Sequence, residues 1–200
     1  MHKPQVLFGT ANQAKIDHIR ALAVDWPVMI RSPQQLGVQI EVIEDGQTAE
    51  ENAVKKASAY ADAANLPAFA IDAALTIDGF PPEKQPGVFV RRIYQADAHV
   101  ADADIIDYYA AALQACNSPT PGRWSIAAVL ALGTGEVLTV NYFVHTLFVA
   151  QRSPVQIPGA PLSSLMLDPV TMRYYAEFGY EERPDSVQLR EALMTLFQQL

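Results

Sequence analysis

The chain has 200 residues, half of them apolar or aromatic, which is ample for the core of one domain spanning 1–200. Its 14 basic side chains against 22 acidic ones give a formal net charge of −8, a field that repels nucleic acid and anionic membranes while leaving room for one small anionic ligand at a local cluster of lysines. A single cysteine, Cys116, excludes an internal disulfide and a thiolate metal cluster, and suits a reducing compartment such as the cytoplasm.

No stretch of eighteen uncharged apolar residues occurs, and MHKPQVLFGT lacks a long apolar segment, so neither a membrane span nor a secretory signal is expected. Gln5 to Phe8 reads as a short strand closed by Gly9. A helix follows, with Ala14, Ile16, Ile19, Leu22 and Ala23 on its apolar stripe, capped by Thr10 or Asn12 and stopped by Pro27. Val28 to Ile30 is a second strand, and Val38 to Val42 alternates with period two as a strand with one wet face.

Asp45-Gly46 turns the chain into Thr48-Ala49-Glu50-Glu51, a capping box in which Glu51 reaches back to the Thr48 N–H. The helix it opens runs to about Asn65, with alanines on one face that imply close approach to another element. Ala68 to Ile71 is a brief buried strand ending at Asp72, and Leu75 to Ile77 is followed by a Gly/Pro turn. A helix over Asp104 to Cys116 and a Pro/Gly break at 119–122 come next. Strands at Trp124 to Leu132 and Val137 to Val149, joined through Gly133-Thr134-Gly135, give the clearest hairpin pattern. A short helix around Pro169 to Phe178 and a terminal helix from Asp185 or Ser186 close the chain. The order predicts an α/β fold with an elongated mixed central sheet flanked by helices, arranged as two lobes with a cleft between them for the ligand.

Several side chains could carry chemistry. Asn12 and Lys15 lie in the first turn of a helix, where backbone N–H groups attract anions; a capping Asn with a solvated Lys explains the pattern as well. Glu51 is a cap or a metal ligand. Asp72 is costly to bury unless paired, hydrogen-bonded or metal-bound, although it could also cap a turn. Asp78 is a second carboxylate or a turn former, and position does not choose between Arg91 and Arg92. His2, His18, His99 and His145 show no short metal spacing, and no P-loop, nucleophile elbow or Ser-His-Asp arrangement is present.

The same stretches resemble the inosine-triphosphate pyrophosphatases, hydrolases of non-canonical purine nucleoside triphosphates. The family's T-G-N-x-x-K falls on Thr10-Ala11-Asn12-Gln13-Ala14-Lys15, and its T-F-x-E-N-A-x-x-K-A on Thr48 to Ala57. Its A-D-D-S-G-L falls on Ala70 to Leu75, where Ile71, Ala73 and Ala74 depart from it and Asp72 is kept. Its P-G-V-Y-S-A-R falls on Pro86 to Arg92 and selects Arg92, while F-G-Y-D-P falls on Leu165 to Pro169. The terminal S-H-R has no counterpart around Val187-Gln188-Leu189.

The resemblance implies a nucleotide-like substrate, a Mg²⁺ cofactor held by Glu51 and Asp72, and a homodimer. It makes Asp72, Glu51 and Lys15 the catalytic set, with Thr10, Asn12, Lys15, Lys56, Arg92 and Asp168 as substrate or phosphate contacts. The reaction implied splits the α–β phosphoanhydride to a nucleoside monophosphate and pyrophosphate. The departures leave open a catalytically inactive nucleotide-binding or structural homodimer on the same fold.

Overall fold

A computed structural model describes residues 3–93 and 100–200. Its six-stranded mixed sheet has the order β2-β1-β3-β4-β5-β6. The strands are β1 Gln5–Phe8, β2 Met29–Arg31, β3 Ala68–Ile77, β4 Thr120–Ala131, β5 Val137–Phe148 and β6 Met166–Leu167. β1 runs parallel to both β2 and β3, whereas β5 and β6 are antiparallel. The helices are α1 Gln13–Leu22, α2 Pro33–Leu36, α3 Ala49–Ala64, α4 Asp102–Leu113 and α5 Ser186–Phe197. Among the described residues no helix is long and apolar enough to cross a membrane.

The chain divides into two compact units, and β3, β4 and β5 give residues to both. The first unit comprises 1–73, 125–142 and 185–200. Its core stacks Phe8 on Phe69 with ring centroids 4.5 Å apart, and Phe197 from α5 meets Phe69 edge-on and Trp26 at a tilt. The alanine face of α3 is explained here. Ala53 and Ala57 are fully buried, and Tyr60 presses on the end of β1 so closely that a Cβ at Gly9 would lie 2.7 Å from its ring.

The second unit comprises 74–124 and 143–184. Its core gathers Leu75, Ile77, Ile105, Ile106, Leu113, Phe148 and Leu165, with Tyr109 buried beside Phe80. Burial, with nearby Tyr108 adding to it, pushes the Tyr109 phenol well above its ordinary range, so it remains a neutral donor to the Val90 carbonyl at 3.1 Å.

Four local expectations are corrected. Residues 38–46 form no strand: Ile40 is exposed and Val38 and Val42 are only half-buried, so the alternation gains no fully buried face. The two short strands around Asp72 are one ten-residue strand, which puts Asp72 in the middle of β3 rather than at an end. β4 begins at Thr120, so Pro121 and Gly122 lie within it, where the Pro121 carbonyl accepts from Asp78 N–H. No helix spans 169–178. Asp168 takes the Thr171 N–H at 2.8 Å, Met172 sits at φ 58, and only a short 3-10 turn at Tyr175–Glu177 follows. The short helix α2, opened by a Ser32/Gln35 capping box, carries a start pattern that the apolar periodicity does not mark.

Candidate active site

The functional candidates of the first unit come from the end of β1, the first turn of α1, the first half of α3 and the middle of β3. Gly9 ends β1, and Asn12 caps α1 through its side-chain oxygen, which accepts from Lys15 N–H at 3.2 Å. Thr10 accepts from Asn12 N–H at 3.1 Å, so its hydroxyl helps shape the entry to the helix. Lys15, one turn along, donates from Nζ to the Ile71 carbonyl at 3.2 Å. The amino-terminal end of α1 therefore has a lysine anchored beside β3, next to Asp72.

Helix α3 brings the second lysine. Lys56 is buried, and its Nζ lies 3.4 Å from Asp72 Oδ1 and 3.1 Å from Glu44 Oε2. The two carboxylate oxygens are thus no farther apart than the sum of those distances. Asp72 is 15% exposed and Glu44 39% at the side chain, so Asp72 is the more desolvated acid and water screens Glu44 more strongly.

Glu44 was not singled out from the sequence. It sits in an acidic loop that reads as solvated surface, and its partner lies twelve residues away on a helix. A signal was available: Lys56 is on the alanine-rich buried face of α3, and a buried lysine requires an anion.

Glu51 occupies a different environment. Thr48 Oγ1 accepts from its N–H at 3.1 Å, as the capping box requires, but its carboxylate accepts from Gln47 N–H at 2.6 Å rather than from Thr48. Chain geometry explains the shift, since the loop folds back over the helix start and presents the preceding N–H. Glu51 is exposed. Among the described residues no group of three or more His, Cys, Asp or Glu is gathered as a metal cage.

Two further candidates belong to the second unit. Arg92 places its guanidinium 5.0 Å from the Phe89 ring centre, whereas Arg91 pairs with Asp102 at 2.6 Å. Asp168 is buried and accepts from both the Thr171 N–H and hydroxyl, at 2.8 and 2.6 Å. Burial pushes its carboxyl up, but the hydrogen bonds from Thr171 and Val170 outweigh that and hold it below the ordinary range. Asp78 is exposed and gives its backbone N–H to β4. His145 is exposed and His18 is buried against Ser186 at 3.0 Å, while His2 and His99 lie outside the described residues. Half-buried Cys116 donates weakly to the Gly79 and Ala112 carbonyls.

The parallel β2-β1-β3 segment with an α1 lysine anchored beside its central acid defines a mixed α/β protein with polar groups gathered at one strand. That fold is shared by a HAM1 protein from Coxiella burnetii, with TM-score 0.77 and 22% identity, covering 98% of this chain and all of that one. A dITP/XTP pyrophosphatase structure from Mycobacterium abscessus gives TM-score 0.65 at 24% identity, covering 96% and 98%. The chain belongs to the Ham1 family, whose family model matches residues 6–147. Curated relatives include the dITP/XTP pyrophosphatase of Syntrophobacter fumaroxidans, 32% identical over 148 residues, which are 74% of this chain and 62% of that protein. The corresponding protein of Anaeromyxobacter sp. (strain Fw109-5) is 35% identical over 119 residues, 59% of this chain and 51% of its own length. The chain thus spans about half to two-thirds of the length of these curated relatives.

Proposed function

We propose that this protein is a Mg²⁺-dependent nucleoside-triphosphate pyrophosphatase, acting on a dITP/XTP-type substrate as the names of its relatives suggest. The observation that carries the reading is Lys56 Nζ held by both Glu44 and Asp72, beside Lys15 at the start of α1. The donor set fits magnesium. Two hard carboxylates already cradle one cationic group, and Mg²⁺ is commonly held by one or two carboxylates with water and substrate phosphates completing its shell. In this assignment Glu44 and Asp72 would hold the metal, while Glu51 ties the Gln47 N–H to the start of α3. Magnesium, when bound there, would supply positive charge that offsets the charge of the phosphates.

The chain's own residues perform the rest. Lys15 and the N–H groups at the start of α1, with Asn12 and Thr10 fixing that turn, receive phosphate oxygens. Lys56 neutralises charge as water adds to the α-phosphorus and the α–β P–O bond breaks. Asp72, the less solvated acid, orients the water and takes its proton, so the products are a nucleoside monophosphate and pyrophosphate. Within the second unit Arg92 lies over the Phe89 ring and Asp168 shapes the 168–173 turn. The working form is a homodimer in the cytoplasm.

The test is pyrophosphate release from dITP, XTP and the common nucleotides at millimolar Mg²⁺, with Asp72→Asn and Glu44→Gln. Turnover that falls by about 10²-fold or more in both variants, with Glu51→Gln far milder, supports the assignment. A nucleotide bound without turnover by the unmodified protein favours the inactive binding role that Ile71, Ala73 and Ala74 suggest.

A further inference from the structure

Asn52 lies in the E-N-A stretch, and the chemistry above gives it no part. It is 2% exposed, and its Oδ1 accepts from Gly46 N–H at 2.8 Å. Gly46 is buried, with no room for a side chain: a Cβ there would stand 2.6 Å from Asn52 Oδ1 and 2.8 Å from Glu51 Cβ. Contacts from α3 to the neighbouring loop residues follow in strict order. Gln47 N–H goes to Glu51 and Thr48 Oγ1 receives Glu51 N–H, while Asp45 pairs with Lys55 and Glu44 with Lys56.

These contacts differ in their surroundings. Lys55 and Asp45 are 42% and 69% exposed, so water weakens their hold on the loop. The Gln47 and Thr48 attachments are likewise on the surface. The Asn52–Gly46 bond is the buried one, two residues from Glu44, and Gly46 allows the backbone to approach closely enough to make it. Buried, desolvated hydrogen bonds fix geometry more firmly than exposed ones.

Building on the metal-site assignment of Glu44 and Asp72, we infer that Asn52 is a positioning residue. Through Gly46 it sets the height of the 44–48 loop on α3, and with it the point at which the Glu44 carboxylate meets Asp72. Asn52 touches no reacting atom; it acts through Glu44. Residues that orient metal-binding carboxylates typically influence metal affinity by about 10–100-fold.

The experiment is Mn²⁺ titration of the full chain without nucleotide, followed by electron paramagnetic resonance of the free ion, for the unmodified protein, Asn52→Leu, Glu44→Gln and the double variant. The expected result is a rise of about 10-fold or more in the Mn²⁺ Kd for Asn52→Leu, and little further loss when it is added to Glu44→Gln. Equal losses from Asn52→Leu in both backgrounds would overturn the positioning role and leave the metal site standing. An unchanged Kd in Glu44→Gln, or no Mn²⁺ binding by the unmodified chain, would overturn both the inference and the metal assignment. Gly46→Ala keeps Asn52 intact, displaces the loop by crowding, and is expected to reproduce the Asn52→Leu loss should that variant fold poorly. Asn52→Asp, which retains an acceptor for Gly46 N–H, is expected to recover most of the affinity.

Discussion

Lys56→Met is the most informative perturbation of the acid–lysine cluster. Methionine keeps much of the buried aliphatic length of the Lys56 side chain and removes the ammonium that Glu44 and Asp72 share. Removing one member of a fully buried pair costs about 3–5 kcal/mol, because the remaining charge is left without compensation. Asp72 keeps 15% exposure, which lowers the figure to about 2–4 kcal/mol, and the 39% exposure of Glu44 allows water to screen most of its share. Asp72→Asn is milder, about 1–2 kcal/mol, since Lys56 then retains Glu44 at 3.1 Å. In the double variant the asparagine relieves the charge that methionine strands. The losses should therefore fall short of their sum by about 1–2 kcal/mol.

Urea unfolding read by tryptophan fluorescence measures these differences. The chain has two tryptophans, and Trp26 is fully buried against Phe197 in the unit that contains the cluster. A Trp124→Phe background makes Trp26 the reporter for that unit. Millimolar Mg²⁺ should stabilise Lys56→Met more than the unmodified protein, because a divalent cation replaces the missing ammonium between two carboxylates. Strict additivity of the two substitutions, together with equal responses to Mg²⁺, would refute the shared-cation reasoning.

Two further predictions concern the second unit. Thr171→Val removes the hydroxyl that donates to Asp168 at 2.6 Å and should cost about 1–2 kcal/mol at neutral pH. The folded carboxyl is held below its ordinary value, so the stabilisation is complete above the unfolded pKa and is lost as pH falls through the depressed folded one. The gap between variant and unmodified protein, followed by urea unfolding against pH, should accordingly close in acid; a pH-independent gap would contradict this account. Gly122→Ala would place a Cβ 2.5 Å from Cε2 of the fully buried Phe148, at a cost of about 1–3 kcal/mol by thermal or chemical unfolding. Phe148→Leu should recover part of that loss.

Elements whose apolar spacing and caps agree were legible in the sequence. The helix from Thr48 to Asn65 is an example, with its capping threonine, buried alanines and Asn65 in the left-handed conformation that ends it. The hairpin of β4 and β5 was legible for the same reason. Features governed by distant contacts were not. Val38 to Val42 alternates like a strand, but Ile40 stays exposed, and alternation alone supplies no backbone partner. At 169–178 the chain turns back instead of forming a helix: Leu167 pairs antiparallel with Tyr174, Met172 is left-handed, and the Tyr174 hydroxyl donates to the distant Gln151 carbonyl, none of which periodicity registers. For the site, motif spacing placed Lys15, Lys56 and Asp72 on the elements that present them. Glu44 escaped because its place depends on a loop folding back over the start of α3, held by Gly46 and Asn52.

The alternation of β3 also gives the departures from the family pattern a physical meaning. Successive side chains on a strand point to opposite faces, so residues 71 and 72 cannot serve the same surroundings. Ile71 packs against the apolar cluster of Phe8, Phe69 and Leu193, while Asp72 points to Lys56. An isoleucine at 71 therefore extends the core of the first unit and takes nothing from the acid that Lys56 holds. What Lys15 uses at position 71 is the backbone carbonyl, which every residue type supplies. The Asp-to-Ile difference thus alters the core-facing side of the strand, and the Glu44–Lys56–Asp72 arrangement does not depend on a carboxylate there.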